Sequence, residues 1–220
     1  MTGQDGRQNI RRIPSDLLAS NMYLVEERGH GIVVDPCEDL SPYDPALVYD
    51  WIFLTHEHYD HISGVDAWRE RTGARVICSR ACGESLKDPK KNFSHFFDSF
   101  CELQTWLPYT PGREYPAFST HADVVFDGEL TMEWQGHSIL LTETPGHSPG
   151  GSCLLLDGTS LFAGDCLIPG RKTELRFPGG SRKQWQERTL PFLRSLSPET
   201  IVYPGHFAPC ALNEFSEYIF

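Results

Sequence analysis

The stretch WIFLTHEHYDHISG, residues 51–64, places three histidines and two acidic residues directly after an apolar run typical of a β-strand. Alternate side chains at the end of a strand point to the same side, so His56 and His58 can bind one cation. Asp60 and His61 follow at the start of a helix and can face a second position. Imidazole and carboxylate ligands suit Zn, Mn or Fe, and the motif contains no thiolate. The stretch therefore predicts a divalent metal site at the end of a strand.

Three later apolar runs end in the same way. His147, Asp165 and His206 follow such runs in LLTETPGH, SLFAGD and TIVYPGH, and each comes directly after a glycine. Glycine permits the sharp turns that such strand ends need, and loops at strand ends often present functional groups. We therefore expect four strand ends to contribute to the metal site.

The arrangement of apolar runs predicts a mixed α/β fold. Turn residues separate the runs, and two segments between them have the spacing of amphipathic helices. Strands, then helices, then strands again are typical of an α/β sandwich rather than a doubly wound sheet. The predicted strands lie within 21–27, 31–36, 51–55, 74–79, 138–145, 152–157, 159–165 and 200–206, and the predicted helices within 63–73 and 181–196.

The composition limits the partners of the protein. With 220 residues, 40% of them hydrophobic, the chain can fill the core of a single domain over 1–220. Lys and Arg number 19 against 30 Asp and Glu, and the net charge of −11 disfavours a nucleic-acid-binding surface. No apolar run approaches the roughly 20 residues that span a bilayer. We therefore expect a small-molecule substrate, and neither nucleic acid nor a membrane as a partner.

The cysteines and the first residues predict a cytoplasmic location. The seven cysteines are odd in number and form no CxxC pair. The polar start MTGQDGRQNIRR is not followed by the apolar core of a signal peptide. Both features are typical of a protein from a reducing compartment.

The candidate ligands resemble, in type and order, the metal-binding set of the metallo-β-lactamase superfamily. Within it, the chain is most similar to the hydroxyacylglutathione hydrolases (glyoxalase II) and their short bacterial relatives. The seven candidate ligands are His56, His58, Asp60, His61, His147, Asp165 and His206. The similarity extends to Asn21, Asp35, LKDPKKNFS (86–94), TPGHSPGG (144–151), FAGD (162–165), PGGS (178–181) and YPGH (203–206).

This resemblance implies a four-layer αββα sandwich with two divalent ions between its sheets, most often Zn, with Fe or Mn as alternatives. Metal one would be held by His56, His58 and His147, and metal two by Asp60, His61 and His206, with Asp165 bridging both. The implied activity is hydrolysis of a thioester by a hydroxide that bridges the ions. Asp60 and Asp165 are the implied catalytic residues, and Asp60 can orient the nucleophile and carry a proton to the leaving group.

Other activities of the same superfamily remain open from the sequence. A persulfide dioxygenase would use one iron, held by His56, His147 and Asp165. A lactonase, a β-lactamase or a phosphodiesterase would keep both metals and change only the pocket. The metal content would separate the dioxygenase from the hydrolases.

Two segments are candidates for substrate recognition, because glyoxalase II uses a further helical domain for this purpose and the chain continues for only 14 residues after His206. The basic segment 171–188 offers Arg171 and Arg182 for an anionic group. An aromatic insertion at about 93–121, with Trp106 and Tyr109, predicts either a lid over the cleft or a contact between subunits, and the oligomeric state stays open. Tyr59, at a variable position of the histidine motif, is a further candidate substrate contact.

Overall fold

Two six-stranded sheets form the centre of the molecule. The structure is a computed structural model that describes residues 9–104, 106–108 and 115–219. The first sheet contains β1 (Asn9–Pro14), β2 (Asn21–Glu27), β3 (His30–Val34), β4 (Val48–Phe53), β5 (Arg75–Ser79) and β6 (Val124–Phe126), in that order. The second contains β7 (Glu129–Trp134), β8 (His137–Glu143), β9 (Ser152–Leu156), β10 (Ser160–Gly164), β11 (Ile201–Pro204) and β12 (Cys210–Ala211), also in chain order across the sheet.

Both sheets are mixed. In the first, β1, β2 and β3 pair antiparallel, whereas β3 to β6 are parallel neighbours. In the second, β7 to β10 form an antiparallel meander, β11 joins β10 in parallel, and β12 pairs antiparallel with β11. The carboxyl ends of parallel neighbours lie at the same edge of a sheet. The loops that follow β4, β10 and β11 start at such edges and can carry functional residues.

Strand alternation explains the layering. Side chains of a strand point alternately to its two faces, so a strand covered on both faces is apolar throughout. On β9, Leu154 and Leu156 pack between the sheets, whereas Cys153 and Leu155 pack on the outer side. On β2, Tyr23 likewise lies in the cluster between the sheets. Helices cover the outer face of each sheet, so the predicted four-layer αββα sandwich is confirmed.

Short helices complete the outer layers. The predicted helix in 63–73 is confirmed and ends at Gly73, whose φ of 72° is the left-handed conformation that closes many helices. The predicted helix in 181–196 is confirmed as three consecutive helical pieces, with a π-helical turn in the middle. The α-helices are α1 (Tyr59–Ile62), α2 (Val65–Thr72), α3 (Arg80–Ser85), α4 (Phe97–Leu103), α5 (Arg182–Gln184), α6 (Leu190–Ser195) and α7 (Ser216–Ile219), and Trp185–Thr189 is the π-helical turn.

Within the described ranges, no helix is long and apolar enough to cross a membrane.

The aromatic insertion packs on the body of the same chain. Phe97 of α4 and Leu107 form a buried cluster with Tyr59 of α1 and with Leu17 and Leu18 from the loop between β1 and β2. The ring of Tyr59 meets that of Phe97 edge to face, with centroids 5.0 Å apart. The described part of the insertion therefore lies beside the histidine motif.

Candidate metal centre

Loops after four strands bring all seven candidate ligands together. The segment after β4 carries His56 and His58, and α1 follows with Asp60 and His61. The loops after β8, β10 and β11 carry the other three ligands, and every one of the seven is at most 8% exposed. These three are His147, Asp165 and His206.

Three histidines form the first group. Donor atoms of His56, His58 and His147 all lie within 4.8 Å of one another. His58 Nδ1 and His147 Nε2 are 3.1 Å apart, and the buried His56 Nε2 has no hydrogen-bond partner among the described residues. Burial lowers the pKa of His56 well below its usual value and that of His58 to about 3. Both imidazoles are therefore neutral, which is the form that binds metal ions.

The second group combines an acid with two histidines. His61 Nε2 lies 3.4 Å, and His206 Nε2 3.5 Å, from Asp60 Oδ2. Ligand atoms about 2.1 Å from a tetrahedral ion lie about 3.4 Å from one another, so the spacing fits a cation between these groups. Burial opposes protonation of both imidazoles, but the carboxylates beside them raise the pKa of His61 well above its usual value and that of His206 to about 9. A bound cation would displace those protons.

Asp165 faces both groups at once. Its Oδ1 lies 3.4 Å from His61 Nε2 and 3.5 Å from His206 Nε2, whereas its Oδ2 lies 3.6 Å from His147 Nε2. Oδ1 is buried and makes no hydrogen bond within the described residues. Burial alone would raise the pKa of Asp165, but His206 and His61 hold it well below its usual value. An ionised carboxylate with its two oxygens turned to two ligand groups has the arrangement of a bridging ligand.

Hydrogen bonds from surrounding residues orient the ligands. The Asp35 carboxylate accepts hydrogen bonds from the Thr55 amide at 2.7 Å and the Thr55 hydroxyl at 2.6 Å, and its Oδ2 lies 3.4 Å from His61 Nδ1. His147 Nδ1 is 3.0 Å from the carbonyl oxygen of Glu174. A proton on Nδ1 donated to that carbonyl leaves Nε2 of His147 free to coordinate. The donor set and its buried, unpartnered atoms thus fit divalent metal ions.

A tight backbone contact places Asp165. Gly164, directly before it, has a φ of +51°, and a Cβ at this position would lie 2.2 Å from the Thr55 hydroxyl oxygen. Only glycine combines this backbone conformation with so close an approach. The glycine noted in SLFAGD is therefore required for the turn that brings β10 against the end of β4.

Glu57, between the first two histidines, links two ligand loops and was not among the predicted site residues. Its buried carboxylate accepts hydrogen bonds from the Ser148 hydroxyl at 3.0 Å and the Gly150 amide at 3.3 Å. Burial raises its pKa to about 7. Because Ser148 follows His147, this carboxyl group holds the histidine motif against the loop that supplies the third histidine.

We expect the Glu57→Ala variant to be less stable than Glu57→Gln by about 2 to 3 kcal/mol, because Ala leaves the Ser148 and Gly150 donors buried without an acceptor. Gln keeps an acceptor oxygen and nearly the same volume. Urea unfolding of the two metal-free variants at one pH measures the difference. Equal midpoints for the two variants would show that the hydrogen bonds contribute nothing to holding the loops.

A cavity lined mainly by apolar side chains opens directly above the ligands, and it contains two of the predicted substrate contacts. Tyr59 and Trp106 line it, and the Trp106 ring lies 5.8 Å from the His206 ring. Arg171 lies in an adjoining groove. Arg182 begins α5, is exposed, and is not among the residues that line either space, so it stays a prediction from sequence. Tyr109 lies outside the described residues.

Phe177 also lines the cavity and was missed at the sequence level. Its ring lies 5.3 Å from the His147 ring and 5.7 Å from the His58 ring, both edge to face. Segment 171–188 is basic, a pattern that predicts a contact between its cations and an anion and gives no sign of an aromatic contact. The sequence does contain a signal for Phe177, because Pro178 and the two glycines after it predict a turn. A turn of this kind can point one large side chain into a cleft.

Comparisons with known proteins identify the family and the fold of the chain. Residues 15–206 match the family model described as the metallo-beta-lactamase superfamily. A hydroxyacylglutathione hydrolase from Salmonella typhi is 27% identical over 202 residues, which are 90% of this chain and 65% of that relative, so the chain spans about two thirds of its length. The solved structure of BLEG-1 B3 metallo-beta-lactamase superimposes with a TM-score of 0.77 at 24% identity, covering 96% of this chain and 97% of that one. A structure of TTHA1623 in a di-iron-bound form gives a TM-score of 0.71 at 26% identity, covering 94% and 96%.

Proposed function

The chain belongs to the metallo-β-lactamase superfamily, and on that premise we propose that it is a binuclear metal hydrolase that cleaves a thioester. The position of Asp165 carries the proposal, because its two carboxylate oxygens face separate ligand groups. We assign the first ion to His56, His58 and His147, and the second to Asp60, His61 and His206. Zinc is our expected metal, with Fe and Mn as the alternatives that the same imidazole and carboxylate ligands would bind.

The proposed reaction joins the oxygen of water to the acyl carbon, breaks the carbon–sulfur bond, and yields a carboxylic acid and a thiol without oxidation or reduction. Two divalent ions bound by these residues would polarise the carbonyl and lower the pKa of water towards neutrality. Burial would raise the pKa of Asp60, but His61 and His206 lower it, so its carboxylate is ionised. We assign to the carboxylate of Asp60 the transfer of a proton from the attacking water to the departing sulfur.

The side chains around the ligands control orientation and water. The Ser20 hydroxyl donates a 2.7 Å hydrogen bond to the carbonyl oxygen of Asp60, which fixes the start of α1. Asn21 Nδ2 donates to the carbonyl oxygens of Pro204 at 2.9 Å and Phe207 at 2.7 Å, and so holds the loop of His206 from both sides. Aromatic walls above the ligands keep bulk water from the reacting carbonyl.

The choice of a thioester rests on similarity. The curated relative from Salmonella carries the name hydroxyacylglutathione hydrolase, and this chain spans 65% of its length. The three-dimensional likeness to a β-lactamase at 24% identity concerns the fold alone. We also propose a cytoplasmic location, and all seven cysteines are free thiols.

We expect protein purified without added metal to contain two divalent ions per chain and to release thiol from an acyl thioester. Elemental analysis gives the metal content, and a thiol-reactive dye follows the reaction. Removal of the ions with a chelator should abolish thiol release, and readdition of Zn should restore it. The same preparation is offered a persulfide, a lactone, a β-lactam and a phosphodiester. One iron per chain together with oxygen uptake on the persulfide would contradict the proposal.

A further inference from the structure

The cavity above the ligands has an apolar wall that hydrolysis by itself does not require. Aromatic rings form most of its side walls, its floor consists of metal-binding side chains, and the other lining residues are Leu18, Leu107, Ile168 and Glu174. Phe93 lies 4.7 Å from the His58 ring, in a left-handed backbone conformation with a φ of 64°. Such a conformation is uncommon for a bulky residue, and the strain supports a position set by function. The wall is formed by Phe93, Phe97, Phe100, Trp106 and Phe177.

A second space continues from this cavity towards solvent. The outer groove is open to solvent, and it shares five residues with the inner cavity, namely Phe100, Trp106, Ile168, Glu174 and Phe177. Arg171 and Lys172 lie along it. The Arg171 guanidinium stacks over the Trp106 ring at 4.2 Å, at the junction of the two spaces. A ligand can therefore reach from the metal ligands past Trp106 into the groove.

Three cations line the groove, and two of them, Arg171 and Lys172, are not neutralised by an acid. Arg176 is paired with Glu174 at 2.7 Å. Within the part of the chain that the structure describes, neither Arg171 nor Lys172 has a carboxylate within ion-pair distance, and both are exposed. The chain as a whole carries a charge of −11, so two adjacent uncompensated cations beside the mouth of the cavity form a local exception.

We propose that the substrate is a thioester with a bulky apolar acyl group and an anionic thiol carrier. This inference rests on the proposed function and names the substrate class of that site. The acyl group occupies the aromatic cavity, where burial of apolar surface favours large groups over small ones. The carrier extends through the groove, where Arg171 and Lys172 contact its phosphate or carboxylate. The scissile bond then lies in the inner cavity, over its floor of metal-binding side chains.

Binding of thioether analogues tests this inference separately from hydrolysis. The acyl part is a naphthylmethyl or an ethyl group, and the carrier is neutral pantetheine, phosphopantetheine or an acidic cysteine dipeptide. Calorimetry with metal-loaded protein should show the naphthyl analogues binding at least about 30-fold more tightly than the ethyl analogues. The anionic carriers should bind about 5- to 10-fold more tightly than the neutral one at low salt, and the stronger of the two identifies a phosphate or a carboxylate site.

Variants assign each preference to its side chains. Phe177→Ala should weaken the naphthyl analogues by about 10-fold and the ethyl analogues by less than about 2-fold, and Phe177→Leu should restore most of the loss. Arg171→Gln should weaken only the anionic analogues. Lys183→Gln, an exposed cation of α5 outside both spaces, is the matched control and should change nothing.

The outcomes separate the two proposals. If thioesters are cleaved but the analogues bind without regard to acyl size or charge, the hydrolase stands and the substrate class is wrong. If the analogues bind as expected and the matching thioesters are not cleaved, the hydrolase is wrong and the ligand class stands. Trp106→Ala provides the last check, because an equal loss for all analogues together with a change from dimer to monomer in sedimentation would make the aromatic insertion a subunit contact and overturn the inference.

Discussion

Replacing Asp165 by Ala is expected to lower kcat for thioester hydrolysis by at least about 10³-fold and to reduce the metal content below two ions per chain. Its Oδ1 faces His61 and His206, and its Oδ2 faces His147, so one substitution removes a ligand atom from each group. The loss corresponds to several kcal/mol of transition-state stabilisation, which is the usual contribution of a bound metal ion to hydrolysis. Elemental analysis and thiol release on the same samples measure both effects.

Two control variants separate the bridging role of Asp165 from a general effect of losing a carboxylate. Asp127→Ala removes an exposed acid whose partner is Arg80, and surface pairs of this kind contribute little to stability. This variant should keep both ions and full activity. Asp165→Asn keeps the shape of the side chain but not its charge, and should resemble Asp165→Ala. Two tightly bound ions in Asp165→Ala would show that another residue bridges the groups.

Buried strands were predictable from the sequence, because a strand that packs on both faces is a continuous apolar run. Strands β9 and β10 are buried on both faces, as are the first five residues of β2, and each strand fell within a predicted run. In contrast, β1 and β7 were missed. The sequence NIRRIP of β1 is mostly exposed, and β7 alternates exposed with partly buried positions at an edge of its sheet. Pairing with a neighbour makes these segments strands, and a hydrophobicity pattern does not report pairing.

The metal ligands were predictable for a different reason than the cavity wall. The ligands are polar side chains placed directly after apolar strands, a pattern that ordinary core packing seldom produces. The wall is aromatic, and aromatic side chains are equally at home in an ordinary core. In the segment HFFDSF, residues 95–100, the aromatic residues have helical spacing, which indicates ordinary packing. Phe97 and Phe100 of this segment nevertheless line the cavity. Phe177 reaches the same wall from a segment more than 70 positions later, a proximity that only the fold creates.

The Gly205→Ala variant is expected to lose the second ion and at least about 10²-fold in kcat, although Gly205 donates no side chain to the site. A Cβ at this position would lie 2.2 Å from Asp165 Oδ1 and 2.8 Å from His61 Cε1. The backbone cannot retreat, because the Gly205 amide donates to the Gly164 carbonyl at 2.8 Å and its own carbonyl accepts from the Asn21 amide at 2.7 Å. The carboxylate of Asp165 must therefore move, and a displacement of about 1 Å in a catalytic group costs about 10²-fold in rate.

The matched control for this variant is Gly158→Ala, in the turn between β9 and β10. Gly158 has a φ of +68° and open space around it, so Ala there costs about 1 kcal/mol of stability through backbone strain alone. The extra methyl group at Gly205 should cost about 1 to 3 kcal/mol through overpacking. Both variants are thus less stable than the parent, but only Gly205→Ala should lose metal and activity. If Gly205→Ala keeps two ions and its full kcat, then the close approach of the His206 loop to Asp165 does not determine the geometry of the second metal site.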